Sequence, residues 1–376
     1  MLQTQKIMRS IISTLIIFFQ ISASVLYGNS YQNKYFDFSS VDAFFEVEEM
    51  LSKNIMPEYR VWDEMFKTQA YYWLGSYSST IIIKEQMINA FYMPDTFKIN
   101  KILSARINED LSNQRALLSK IILMNFLEIK ANLPELKKFR NSLNQLKEEE
   151  IYEAANQMLI GFLINPVESE METPKVAFAF LEPDAYSQEK GIVMDFNQAF
   201  LNGEDGLIRL LSHEMFHAYR RRFEKTEFIK LNGFTIQINK LHNEGIADLL
   251  NKPSMDLEGS LLPQQVIDIY KETFEATPKI LEKMDLIVVS YRAGKSGIEE
   301  LNQCMYEYFL FGGHPNGYYM TQLILRQGLR EELISSFYNP IAFLKLYNEA
   351  ARAKGDYVFS EKFVEYIDYL EGMYFN

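Results

Sequence analysis

A single cysteine, Cys304, stands among 376 residues, so no internal disulfide staples this chain and no cysteine cluster offers a metal site. Histidine is nearly as scarce: the four imidazoles are His213, His217, His242 and His314. Positive charge is in deficit, with 38 Lys and Arg against 50 Asp and Glu, a net charge of −12, and no basic stripe; a nucleic-acid partner is therefore not expected. Long apolar runs are missing too. The best, Ile11 to Leu26, is interrupted by Ser13, Thr14, Gln20, Ser22 and Ser24 and is shorter than the ~20 apolar residues a membrane span needs. Ala293-Gly294-Lys295-Ser296 has Val289 where a phosphate loop needs its first glycine, and Gly294-Lys295-Ser296-Gly297 lacks the spacing of a serine nucleophile elbow. Neither an internal repeat nor a low-complexity linker is present.

What is there begins with His213-Glu214-Met215-Phe216-His217. Residues four apart stack on one helical face, so His213 and His217 are placed to grip one zinc ion, with Glu214 on the adjacent face near a metal-activated water. The surrounding sequence supports a helix. Leu207, Ile208, Leu211, Met215 and Tyr219 recur at helical spacing, Asp205 is the expected N-cap, and Arg220, Arg221 and Arg222 suit the C-terminal turn. An open zinc site needs a third protein ligand, and Asn243-Glu244-Gly245-Ile246-Ala247-Asp248 supplies one in Glu244. Asp248, one turn further, is placed to accept the free N–H of a ligand imidazole. The small Gly245 and Ala247 would let this helix lie close to the His213 helix.

These two segments together resemble the gluzincins, the thermolysin-like zinc metallopeptidases, and within that style the bacterial zinc-dependent peptidases that have no settled substrate. The resemblance covers roughly residues 175 to 325 and is specific only at the motif positions. It implies zinc ligation by His213, His217 and Glu244, a general base in Glu214, and a supporting role for Asp248. No Gly-x-x-His follows His217, which argues against a third histidine ligand.

Val176 to Leu181 and Gly191 to Phe196 read as short strands separated by a turn at Glu182-Pro183-Asp184, either a plain buried hairpin or, as the resemblance implies, a sheet whose edge pairs with an extended peptide. Gly312-Gly313-His314-Pro315-Asn316-Gly317 reads as a turn between two helical runs. The resemblance implies an oxyanion donor near this place, His314 or, as substitute, Tyr318; the alternative for His314 is a capping or surface histidine. His242 is two residues off the Glu244 face and reads as structural, and Cys304 as buried core.

Lys6 and Arg9 followed by the apolar run, with Ser22-Ala23-Ser24 as a small-residue cleavage point, predict a signal peptide over residues 1–24, an uncleaved anchor being the alternative. Its removal would take two positive charges and no acid. Export to a bacterial periplasm or exterior follows, with no stable membrane span after cleavage; the absence of any Asn-x-Ser/Thr acceptor agrees. Helical periodicity dominates elsewhere. The expected architecture is α+β and predominantly helical: an N-terminal helical lobe over residues 25–170, a break in the Glu-rich stretch from Pro166 to Pro174, and a catalytic region over residues 171–376, with a zinc-helix pair beside a small sheet and C-terminal helices. The function expected is a zinc-dependent peptidase with Zn2+ as cofactor and a peptide or protein as substrate. The alternatives are a non-catalytic zinc-containing helical binding protein and another zinc-dependent amide hydrolase.

Overall fold

The computed structural model describes residues 34–75, 77–104, 114–164, 174–252 and 262–375. The predicted signal peptide, and the interlobe stretch up to residue 173, lie outside the described residues. Among those described, no helix is long and apolar enough to cross a membrane.

The chain is α+β and predominantly helical. Among the described residues, strand β1 (Phe36–Asp37) leads into eight helices: α1 (Ser39–Ser52), α2 (Tyr59–Phe66), α3 (Gln69–Leu74), α4 (Tyr77–Phe91), α5 (Thr96–Ser104), α6 (Gln114–Ala131), α7 (Leu133–Ser142) and α8 (Gln145–Ile160). Three strands follow, β2 (Val176–Ala179), β3 (Ala185–Gln188) and β4 (Gly191–Asp195), then α9 (Phe196–Arg220), a 3-10 turn at Arg221–Phe223, α10 (Thr226–Ile229) and α11 (Gly233–Asn251). The remainder is helical: α12 (Gln264–Glu275), α13 (Thr277–Arg292), α14 (Ile298–Tyr308), α15 (His314–Arg326), α16 (Arg330–Ser335), α17 (Pro340–Lys354) and α18 (Glu361–Tyr374). One continuous set of buried apolar side chains runs from Phe36 to Leu370.

The sheet order is β1-β2-β4-β3. β2 pairs in parallel with β1 and β4, whereas β3 is antiparallel to β4 and forms an edge. The expected strands at 176 and 191 are therefore not partners in a hairpin. β3, unrecognised in the sequence, is inserted between them in the chain, and the true hairpin turn is at Glu189-Lys190. β2 and β4 are buried along their whole length, which is why they read as near-continuous apolar runs, while β3 alternates weakly and escaped notice.

Where β4 hands over to α9, a buried polar node fixes the entry of that helix. Asp195 caps α9, accepting from the Gln198 N–H at 2.7 Å, while its other oxygen accepts from the Leu181 N–H at 2.9 Å and from Asn125 of α6 at 3.0 Å. Burial pushes this carboxyl up to about 8. Asp205, the expected cap, is inside the helix, two residues past a break at Gly203, whose φ of 65° interrupts the helical path. The cap signal was genuine but belonged to the residue that ends the preceding strand.

Gly245 does not pack on the His213 helix as expected. It meets Gly317 of α15: a Cβ on Gly245 would lie 2.5 Å from the Gly317 carbonyl oxygen, and one on Gly317 would lie 2.3 Å from the Leu241 carbonyl oxygen. Thr321 adds a hydrogen bond to the Gly245 carbonyl at 3.0 Å. Backbone-to-backbone approach of this kind admits no side chain, and it sets α15 against α11. Gly317→Ala should therefore cost about 1–3 kcal/mol in folding free energy by overpacking, read from the denaturant midpoint; an unchanged midpoint would refute the steric account.

Candidate metal centre

His213, Glu214 and His217 lie on the buried face of α9. Their ligand atoms all lie within 4.8 Å of one another, a group compact enough to hold a metal ion. Glu244 of α11 comes closer still to both imidazoles. His213 Nε2 and His217 Nε2 are 2.9 Å apart, and Glu244 Oε2 is 3.2 Å from His217 Nε2 and 3.7 Å from His213 Nε2, whereas Glu214 is 3.9 Å from His213 Nε2. Ligand atoms about 2.0–2.1 Å from a tetrahedral zinc sit about 3.3–3.4 Å from one another, a value these three distances bracket. Glu244 Oε2 is moreover buried without a hydrogen bond, although imidazole nitrogens surround it. An acceptor so placed is suited to a cation, which makes His213, His217 and Glu244 a candidate metal triad.

The electrostatics agree. Burial, with His217 alongside, drives His213 down to about 3. Burial also opposes charge on His217, but the Glu244 carboxylate outweighs it and lifts His217 to about 9. Glu244 is itself held well below the usual carboxylate range: burial opposes this, and His314 and His217 overcome it. Two facing nitrogens with one proton between them, against an ionised carboxylate, is a cluster in which the proton occupies the cation's place.

The neighbouring groups orient the rings. Asn243 Oδ1 is 3.1 Å from His217 Nδ1, which fixes the Nδ1–H tautomer and frees Nε2 to ligate. Asp248 is fully buried and faces two imidazoles, those of His213 and His314. Its short contact is with His314, Nδ1 to Oδ2 at 3.1 Å, while His213 Nδ1 is 3.6 Å away, beyond a hydrogen bond. Lys252, one turn on from Asp248, neutralises the carboxylate at 2.9 Å and donates to the Tyr270 hydroxyl at 2.9 Å.

His314 is brought into the cluster, its Nε2 3.4 Å from Glu244 Oε2. It opens helix α15 rather than lying in a turn. The turn precedes it, at Phe311, Gly312 and Gly313, all with positive φ, and Pro315 fits the first helical turn because its missing N–H has no partner there anyway. Tyr318 is not in the site. Its ring is buried four residues into α15, and its hydroxyl donates to the Lys252 carbonyl at 2.7 Å, satisfying the end of α11. His242 is structural as expected, held between Arg220 at 3.0 Å and Ser336 at 3.2 Å and stacked on Phe343. Cys304 is half-buried on α14, not core.

The cluster opens into a cleft of about 320 Å3 lined by α9, α11, His314 and the whole of β3. Asp184, just before β3, and Glu214 both face it; burial, with Asp184 and Glu244 adding to it, pushes Glu214 up to about 7. A larger cavity of about 540 Å3 lies between α13 and α18, but no residue of the cluster reaches it. Volume does not mark the site here; chemistry does.

Over residues 62–356, most of its length, the sequence matches the family described as "Putative zinc dependent peptidase (DUF5700)". The chain belongs to this family. No curated protein and no solved structure matches it. Zinc is thus the cofactor to which the family's description points, and the His213, Glu214 and His217 group is close enough to bind it. Asn243, Asp184 and β3 are the features of this family member's site that sequence reasoning missed. Asn243 carried a signal, since it sits directly before Glu244 on the helix that faces His217.

Proposed function

We propose that the protein is an exported zinc metallopeptidase of gluzincin type, hydrolysing peptide bonds in the β3 cleft. The observation that carries this reading is the unpartnered Glu244 Oε2 among imidazole nitrogens at 3.2, 3.4 and 3.7 Å, with a second buried carboxylate, Glu214, at the same cleft. Zinc would be held by His213, His217 and Glu244 and would supply a Lewis acid for the activation of water. Glu214 accepts the proton of the attacking water and returns it to the leaving amine. Its burial favours that exchange by keeping its own proton affinity near neutrality. His314 supports the charge developing on the substrate carbonyl oxygen; its Nδ1 donates to Asp248, and Glu244 and Asp248 raise its pKa against burial, which favours the form whose Nε2–H can donate. The peptide backbone lies along the β3 edge.

One observation favours a second reading, a closed and non-catalytic zinc. His314 Nε2 is as near to Glu244 Oε2 as a fourth ligand would be. His314→Ala separates the two: an oxyanion donor predicts retained zinc and a kcat lowered about 10²-fold, whereas a fourth ligand predicts loss of zinc. Tyr318→Phe should leave kcat unchanged, because its hydroxyl is committed to the Lys252 carbonyl.

The direct test is a peptide-library digest by purified protein before chelation, after chelation and after zinc is restored. Cleavage that disappears with the metal and returns with it is expected. Cleavage indifferent to chelator would end the proposal.

A further inference from the structure

The outer edge of β3 is already half occupied by the protein itself. The Asp195 N–H donates to the Asp184 carbonyl at 2.9 Å, so residues 184, 186 and 188 direct their backbone groups toward β4, and the alternation of an antiparallel ladder turns those of Ala185 and Ser187 outward. Two of these four outward groups are taken. The Ala185 N–H donates to Asp184 Oδ1 at 2.9 Å, and the Ser187 carbonyl accepts from Arg221 Nη2 at 2.8 Å, with Ser187 Oγ 3.1 Å from the same nitrogen. The Ala185 carbonyl and the Ser187 N–H remain. That pair, on residues flanking Tyr186, is what a single peptide residue lying parallel to β3 uses: its N–H donates to the first and its carbonyl oxygen accepts from the second.

Arg221 stands at the Ser187 end of this short docking strip. It follows His217 by four residues, as His217 follows His213, so it projects on the same face about 6 Å further along the axis, roughly two residues of extended chain. It lines the cleft, and no carboxylate pairs with it among the described residues; the nearby Glu224 faces Arg220 and Asn239 instead. Apart from imidazoles it is the cation of a cleft otherwise lined by Asp184, Glu214, Glu224 and Glu244. With one nitrogen clamped to the strand, the rest of its guanidinium is left for an anion beside the Ser187 N–H.

We infer that the cleft recognises the free C-terminal carboxylate of its peptide, held by Arg221 and the Ser187 N–H, so that bonds one or two residues from a peptide's C-terminus are the substrates. This rests on the peptidase reading above and narrows it: an internal segment of a long chain would bring no anion to Arg221 and would be stopped by it. An arginine fork and a backbone N–H converging on a carboxylate discriminate it from an amide by about 10- to 100-fold.

The test uses zinc-loaded Glu214→Gln protein and N-acetylated random tetrapeptide libraries, one ending in the free acid and one in the amide, with binding followed by calorimetry and hydrolysis followed separately on the wild type. The acid library should bind 10- to 100-fold more tightly, and Arg221→Met should erase that preference while Arg221→Lys restores part of it. Equal binding of acid and amide, or binding of neither, overturns the anchor, as does an unchanged preference in Arg221→Met. A uniform loss for both libraries in that variant marks Arg221 as a strand clamp only and likewise overturns it. The two readings fail separately: acid-selective binding without hydrolysis by the wild type removes the peptidase, and indifferent hydrolysis of both libraries removes the anchor.

Discussion

Glu214→Gln is expected to keep its zinc and its fold and to lose hydrolysis by 10²-fold or more. The amide occupies the same buried volume and cannot take up a proton. Glu214 is 3% exposed, so no solvent carboxylate or bulk water replaces it as base. The variant also decides a question posed by the cluster's compactness, since Glu214 is itself within reach of His213 Nε2 at 3.9 Å. Metal analysis and turnover on the same preparation give the answer. Zinc lost together with activity would make Glu214 a ligand, and turnover retained with contaminating proteases excluded would remove it as the base.

His217→Ala and Glu244→Gln are expected to take the zinc content from about one per chain to almost none, with hydrolysis abolished in consequence. His217 is the imidazole nearest Glu244, and Asn243 fixes its tautomer, so its loss removes one vertex of the triad and disengages a second. Glu244→Gln keeps the shape but exchanges an anion for a neutral amide among three imidazoles. Elemental analysis after gel filtration checks both. Full zinc in either variant would dismantle the triad. Thermal unfolding adds a second measure, because metal bound only by the folded state raises the transition temperature of the wild type, a rise that chelator should remove and that neither variant should show.

Much of the site was legible because its spacing is helical. His213, Glu214 and His217, and then Glu244 and Asp248, are positioned by the 3.6-residue period alone, and a period is readable in a sequence. Fold class followed from the same signal, since helical periodicity recurs along most of the chain and apolar runs of strand length are few. What failed to show was set by contacts between elements distant in sequence. Gly245 and Gly317 pack together 72 positions apart in the sequence, and nothing near either glycine announces the other. Asp248 faces His213 at 3.6 Å, as its spacing suggested, but its shorter contact, to His314 on a third helix at 3.1 Å, had no local signal. Tyr318 was an attractive oxyanion donor by chemistry and proximity in sequence to His314; a helical turn instead carries its hydroxyl to the end of α11. Asp195 caps the first segment of α9, and Asp205 falls two residues past Gly203, where two helical segments meet at a kink; a glycine inside a helical pattern does not say whether it bends one helix or joins two. β3 is four residues of mixed polarity, too short and too evenly half-buried for alternation to stand out.

The meeting of Gly245 and Gly317 has a consequence for descent as well as for stability. Glu244 and His314 are each one to three residues from that contact, so the separation between them is inherited from two backbones touching, and no rotamer elsewhere restores it once a methyl group intervenes. The two positions are therefore locked to one letter each and locked to one another: a lineage that loses either glycine loses the spacing of the cluster in the same step. Across diverged members, the pair should persist at those places for as long as the ligands do, and should drift freely only in branches where the histidines have already gone.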